Sequence, residues 1–130
     1  MAKRNSITEA EWPIMAVLWE KGTATSAEII DAILADRDAS RRTLKALLNR
    51  LVTKGSVIFT RDENDQRVYH YRPAITREEA VRGKTRAFLG MLGGDVMNLL
   101  TNFVSQAELT DDDIEQLREL LRKKEEKEQS

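Results

Sequence analysis

Three capped amphipathic segments, a change to paired runs of β-formers around a turn cluster, and three further helical segments predict a mainly α fold with a small β-hairpin. In that order the elements describe a winged helix-turn-helix N-terminal domain followed by a three-helix C-terminal region. With 130 residues, there is room for one compact domain and an accessory helical part, and none for two large cores.

Thr8 and Glu11 have capping-box spacing, the hydroxyl and the carboxylate each satisfying the other's backbone amide at a helix start. Pro13 falls in or near the first turn, where a missing amide proton costs little. Trp12, Met15, Leu18 and Trp19 recur at helical spacing as a core face, and Gly22 ends the helix. Thr25 and Glu28 repeat the capping pattern, and Ile29, Ile30, Ile33 and Leu34 make the apolar face of a second helix. Ser40 caps a third, whose Leu44, Leu47, Leu48 and Leu51 fall in one narrow sector before a stop at Gly55.

Val57, Ile58 and Phe59 then open a strand, Asp62 to Asp65 form a turn, and Val68, Tyr69 and Tyr71 return it to Pro73. A lone hairpin is only marginally stable, so it must lean on the helices. Thr76 and Glu79 cap a fourth helix, which ends at Gly93 and Gly94; Val96 to Val104 supply a fifth, and Thr110 with Asp111, Asp112 and Asp113 starts a sixth. These last helices carry more apolar residues than a monomer buries, so Val96, Leu99, Leu100, Phe103, Ile114, Leu117, Leu120 and Leu121 are the expected dimerisation surface of a homodimer. The expected division is 1–74 for the winged helix and 75–130 for the helical dimerisation domain.

Composition excludes much chemistry. Cysteine is absent and His70 is the only histidine, which removes disulfides, thiolate metal sites and cysteine nucleophiles. No triad and no conventional zinc site can be assembled, so neither an enzyme nor a cofactor or metal is expected. No apolar run approaches bilayer length and the first ten residues lack a signal-peptide core, giving a cytoplasmic protein with no membrane insertion. The net charge of −1 does not suit a polycation that coats nucleic acid. Its distribution does suit specific binding: Arg41, Arg42, Lys45, Arg50 and Lys54 fall in a run without an acid, while the stretch from Glu108 to Glu119 is strongly acidic.

On the third helix the side opposite the leucines presents Arg42, Ala46, Asn49, Arg50 and Thr53, flanked by Thr43 and Lys45. A recognition helix meets base edges with its N-terminal turn, which points to Ser40, Arg41, Arg42, Thr43, Lys45 and Ala46, with Asn49 and Arg50 reaching bases or backbone further along. Arginine forks onto guanine, a threonine methyl touches thymine, and Ser40 with the helix amides suits a phosphate. Arg61, Asn64, Gln66, Arg67 and Arg72 on the hairpin are donors for phosphates or a minor groove. His70 reads as a surface or packing residue. The same basic face would also suit a winged-helix interaction module that binds an acidic partner, so that reading stands beside the DNA-binding one.

The run Ile7 to Trp12 with Met15, Leu18 and Trp19, the segment Ser40 to Leu51 followed by Lys54 and Gly55, and the strand Tyr69-His70-Tyr71 resemble the penicillinase-repressor family of transcriptional regulators, the BlaI/MecI/CopY type. The resemblance covers nearly the whole chain. It implies a homodimeric repressor that binds an inverted-repeat operator through the third helix and controls β-lactam resistance genes. It further implies inactivation by a sensor-linked protease that cuts an Asn-Phe bond in the dimerisation helices, matched here by Asn102 and Phe103. The cysteine-rich metal motif of the copper-responsive members is missing, which disfavours copper sensing.

Overall fold

The structure, a computed structural model, describes residues 6–129, so the first five of the ten residues read for a signal-peptide core lie outside it. The chain divides into two compact units, residues 1–88 and 89–130.

The first unit contains α1 (Trp12–Lys21), α2 (Ser26–Leu34), α3 (Arg41–Lys54), β1 (Val57–Arg61), β2 (Tyr69–Pro73) and most of α4 (Arg77–Met91). The Thr8–Glu11 box forms, with both reciprocal bonds present, but it closes a turn that precedes α1 instead of the helix itself. Thr25 and Glu28 make a full capping box on α2, Thr76 and Glu79 make one on α4, and the Ser40 hydroxyl accepts from the Thr43 amide to start α3. Gly55 ends α3 with φ of 83°, a left-handed conformation that any Cβ would strain.

Strands β1 and β2 pair antiparallel, with Phe59 opposite Tyr71 and Arg61 opposite Tyr69. What docks this hairpin is a backbone bridge that periodicity does not reveal. Ala24, just before α2, exchanges both hydrogen bonds with Tyr71, at 3.0 and 2.8 Å. The Trp19 indole nitrogen donates to the Ile75 carbonyl at 3.0 Å and ties the hairpin's exit to α1. One contiguous core results, in which Ile14, Met15, Leu18, Ile29, Leu48, Leu51 and Val57 are essentially inaccessible. Trp12 and Trp19 pack edge to face beside it, their ring centres 5.2 Å apart.

The second unit contains α5 (Val96–Gln106) and α6 (Asp111–Gln129). Asp95 caps α5, and Thr110 with Asp113 makes reciprocal bonds at the start of α6. Both helices have an apolar stripe, yet neither buries a single residue within the chain. Among the described residues no helix is long and apolar enough to cross a membrane.

Candidate nucleic-acid interface

Amphipathicity decides what α3 offers to the outside. Leu44, Leu48 and Leu51 are buried and Leu47 is half-buried, so rotation about the axis leaves Arg42, Thr43, Lys45, Ala46, Asn49, Arg50 and Thr53 exposed. Ser40, spent on its cap, is exposed as well. Arg42, Lys45 and Arg50 form no ion pair among the described residues, leaving three cations on one open helix side.

Two other cations in the same run have partners. Arg41 Nη2 lies 2.7 Å from Asp31 Oδ1 on α2, in a well-exposed pair. Lys54 turns away from the basic face altogether, because its ammonium donates to Glu11 Oε1 and, at 2.9 Å, to the Ser6 carbonyl. Glu11 is fully buried and its Oε2 has no hydrogen-bond partner among the described residues. Burial pushes its pKa up, but the Lys54 ammonium and the Thr8 amide and hydroxyl outweigh that and hold the carboxyl below its ordinary value. Sequence reasoning placed Glu11 only in a capping box and Lys54 only in a basic run.

The hairpin tip is organised by two aspartates. Asp62 Oδ2 accepts the Asn64 and Asp65 amides at 2.9 and 3.0 Å, while its Oδ1 sits 2.9 Å from His70 Nε2. These contacts, His70 first, hold the Asp62 carboxyl below the usual range. His70 is thus a packing residue with a defined partner. Asp65 engages Arg67, whose side chain remains 90% exposed. Arg61 lies over the Tyr69 ring at 5.4 Å, and Tyr69 stacks on Phe59 at 4.6 Å, which stiffens the base of the wing.

These parts come together around a cleft of about 460 Å³ lined by Thr25, Ser26 and Ala27 at the start of α2, Lys45 and Asn49 from α3, and Arg67 to Tyr69 with Tyr71 from the wing. Among the described residues no carboxylate lines it. The sequence-predicted Lys45, Asn49 and Arg67 therefore share one concavity, and Arg42 and Arg50 stand on the same exposed helix. The start of α2 was not foreseen as part of this surface. The Thr25 capping box was its only signal.

In the second unit, Val96, Leu100, Phe103, Ile114, Leu117, Leu120 and Leu121 are exposed and Leu99 is half-buried. Asn102 and Phe103 lie inside α5, and the Asn102 side-chain Nδ2 donates to the Asn98 backbone carbonyl one turn back. No group of three or more metal-ligating side chains occurs among the described residues.

A family model described as penicillinase repressor matches residues 7–123. The chain is 32% identical over 123 residues to the methicillin resistance regulatory protein MecI of Mammaliicoccus sciuri, covering 94% of this chain and 98% of that protein. It is also 32% identical over 120 residues to a penicillinase repressor of Staphylococcus aureus, covering 92% of this chain and 93% of the relative. Among solved structures, the solution structure of the DNA-binding domain of the repressor BlaI superposes with a TM-score of 0.52 at 28% identity, covering 61% of this chain and 93% of that domain.

Proposed function

Because the chain belongs to the penicillinase-repressor family, whose members are transcriptional repressors and not enzymes, we propose that it represses transcription as a homodimer on an inverted-repeat operator in duplex DNA. One observation carries the reading: the outer side of α3 is exposed, cationic and free of acids, in a chain 61% of which superposes on the DNA-binding domain of the repressor BlaI. Residues 1–74 act as the winged-helix reader and 75–130 as the dimerisation domain. Arg42, Thr43 and Lys45 read base edges, with Arg41 and Ala46 beside them. Ser40, Asn49 and Arg50 position the helix on the backbone, and Arg61 and Arg67 reach phosphates from the wing. The protein works in the cytoplasm without a cofactor, and the genes it controls are those of β-lactam resistance, as the names of its relatives suggest.

The direct test is a gel-shift at fixed salt with the duplex that the wild-type protein enriches from a random library. Arg42→Ala with Lys45→Ala is expected to weaken binding by about 30-fold or more, since two good base contacts at about 1–3 kcal/mol each sum to at least about 2 kcal/mol. Equal affinity of wild type and variant overturns the α3 assignment. Binding to duplex DNA with no sequence enriched favours instead the module that docks an acidic partner.

Repression ends, on this proposal, when a sensor-linked protease cuts between Asn102 and Phe103. The bond lies in a helix with no fully buried residue in its own chain, so unwinding it to an extended substrate gives up contacts with the partner copy and leaves the N-terminal core intact. Cutting there detaches the link between two half-site readers and abolishes their high effective concentration. Cells exposed to a β-lactam should therefore accumulate a fragment ending at Asn102; intact protein throughout induction rules the cut out.

A further inference from the structure

The start of α3 contains a charge pair that neither helix wants for itself. Asp31 stands in the last turn of α2, where an acid opposes the helix dipole, and Arg41 is the first residue of α3, where a cation opposes it. Each residue is electrostatically misplaced on its own element. They meet across the turn that joins the two helices, Arg41 Nη2 to Asp31 Oδ1 at 2.7 Å. With side chains 65% and 63% exposed, the pair contributes little to stability. Its position at the tip of the proposed recognition helix is where a charge acts on DNA.

Arginine carries five donors in a rigid fork, and only Nη2 is engaged here among the described residues. Next to it Arg42 and Lys45 form no ion pair among the described residues. The first five residues of α3 thus contain one tethered cation beside two untethered ones, and Asp31 is what makes the difference.

We propose that Asp31 is a specificity-determining positioning residue: by holding Arg41, it withholds that guanidinium from the phosphates of non-cognate DNA and reserves its open edge for a base of the operator. Non-specific affinity comes from neutralised phosphates, so each cation kept off the backbone lowers affinity for every sequence alike. A base contact made while Arg41 stays on Asp31 adds affinity for the operator only. The gap between operator and random DNA widens without any contact between Asp31 and DNA. This proposal rests on α3 being the DNA-reading helix.

The test compares wild type, Asp31→Asn, Asp31→Glu, Arg41→Gln and the Asp31→Asn/Arg41→Gln double variant. Each is titrated over a range of salt with the library-enriched duplex and with a random-sequence duplex of equal length. Asp31→Asn should bind random duplex about three- to ten-fold more tightly at moderate salt, with log affinity against log salt steeper by about 0.9 per protomer, one additional phosphate contact. Its operator-to-random ratio should fall several-fold, and Asp31→Glu, which can re-form the pair, should restore it. In the Arg41→Gln background the Asn substitution should change neither slope nor ratio. An unchanged slope and ratio in Asp31→Asn overturns the proposal, as does an equal change in the Arg41→Gln background, since Asp31 would then act by its charge alone. If the wild type enriches no sequence, the operator reading falls and this proposal with it. If the wild type discriminates and Asp31→Asn discriminates equally, only this proposal falls.

Discussion

Glu11 is an acid with no exposed surface, and its charge survives because Lys54 reaches it from the far end of α3. Removing one partner of a buried pair leaves the other desolvated and uncompensated, so Lys54→Met should cost about 3–5 kcal/mol in urea unfolding, far more than a surface lysine would. The pH dependence has a definite sign. Because the folded state holds the Glu11 pKa below 4.5, its contribution is fully present above that value and is lost as pH falls through the lower folded pKa. Wild type should therefore lose stability more steeply than Glu11→Gln as pH falls below about 4.5. Parallel urea midpoints of the two proteins below that pH would contradict the assignment. None of this was legible in advance: Glu11 fits a capping box and Lys54 a basic run, and 43 positions separate them.

At the scale of elements, α3 was the most legible part. A serine cap, four leucines in one sector and a terminal glycine define its length and inward side without reference to anything else, and the structure keeps both, from Arg41 to Lys54. Which of its cations stay unpaired was not legible, because that depends on α2 supplying Asp31 and on the chain before α1 supplying Glu11. The hairpin behaves in the same way. Its strands and turn follow from β-formers and an Asp-rich cluster, whereas its attachment depends on Ala24, a residue with no strand propensity, bridging to Tyr71. The wing's tip is equally a product of packing, since Asp62 is held by His70 across the hairpin as well as by its own turn.

The whole molecule has an uneven distribution of burial. Among the described residues, those buried in its core run from Ile7 to Ala80, while Phe88, Met91, Met97, Phe103, Leu120 and Leu121 remain exposed. Apolar side chains left open on two helices that bury nothing are the physical reason for proposing a second copy as their cover. Phe103→Asp combined with Leu121→Asp should shift the protein from dimer to monomer in sedimentation at micromolar concentration. It should also weaken operator binding by two or more orders of magnitude while a single half-site is bound as before, because linked half-sites gain through effective concentration and not through new contacts. A variant that sediments like wild type would place the self-pairing surface elsewhere.

By itself the sequence determined the kind and order of the elements, the inward side of the first three helices, and the family. All of these depend on local spacing: a period of 3.6 or 2, a cap, a glycine, a short motif. Only the tertiary structure decided which charges face solvent alone and which are tied to a partner, because pairing depends on distances between residues far apart in the chain. The basic run from Arg41 to Lys54 is one pattern in the sequence, and folding separates it into a buried strut, a tethered arginine and an open cationic ridge.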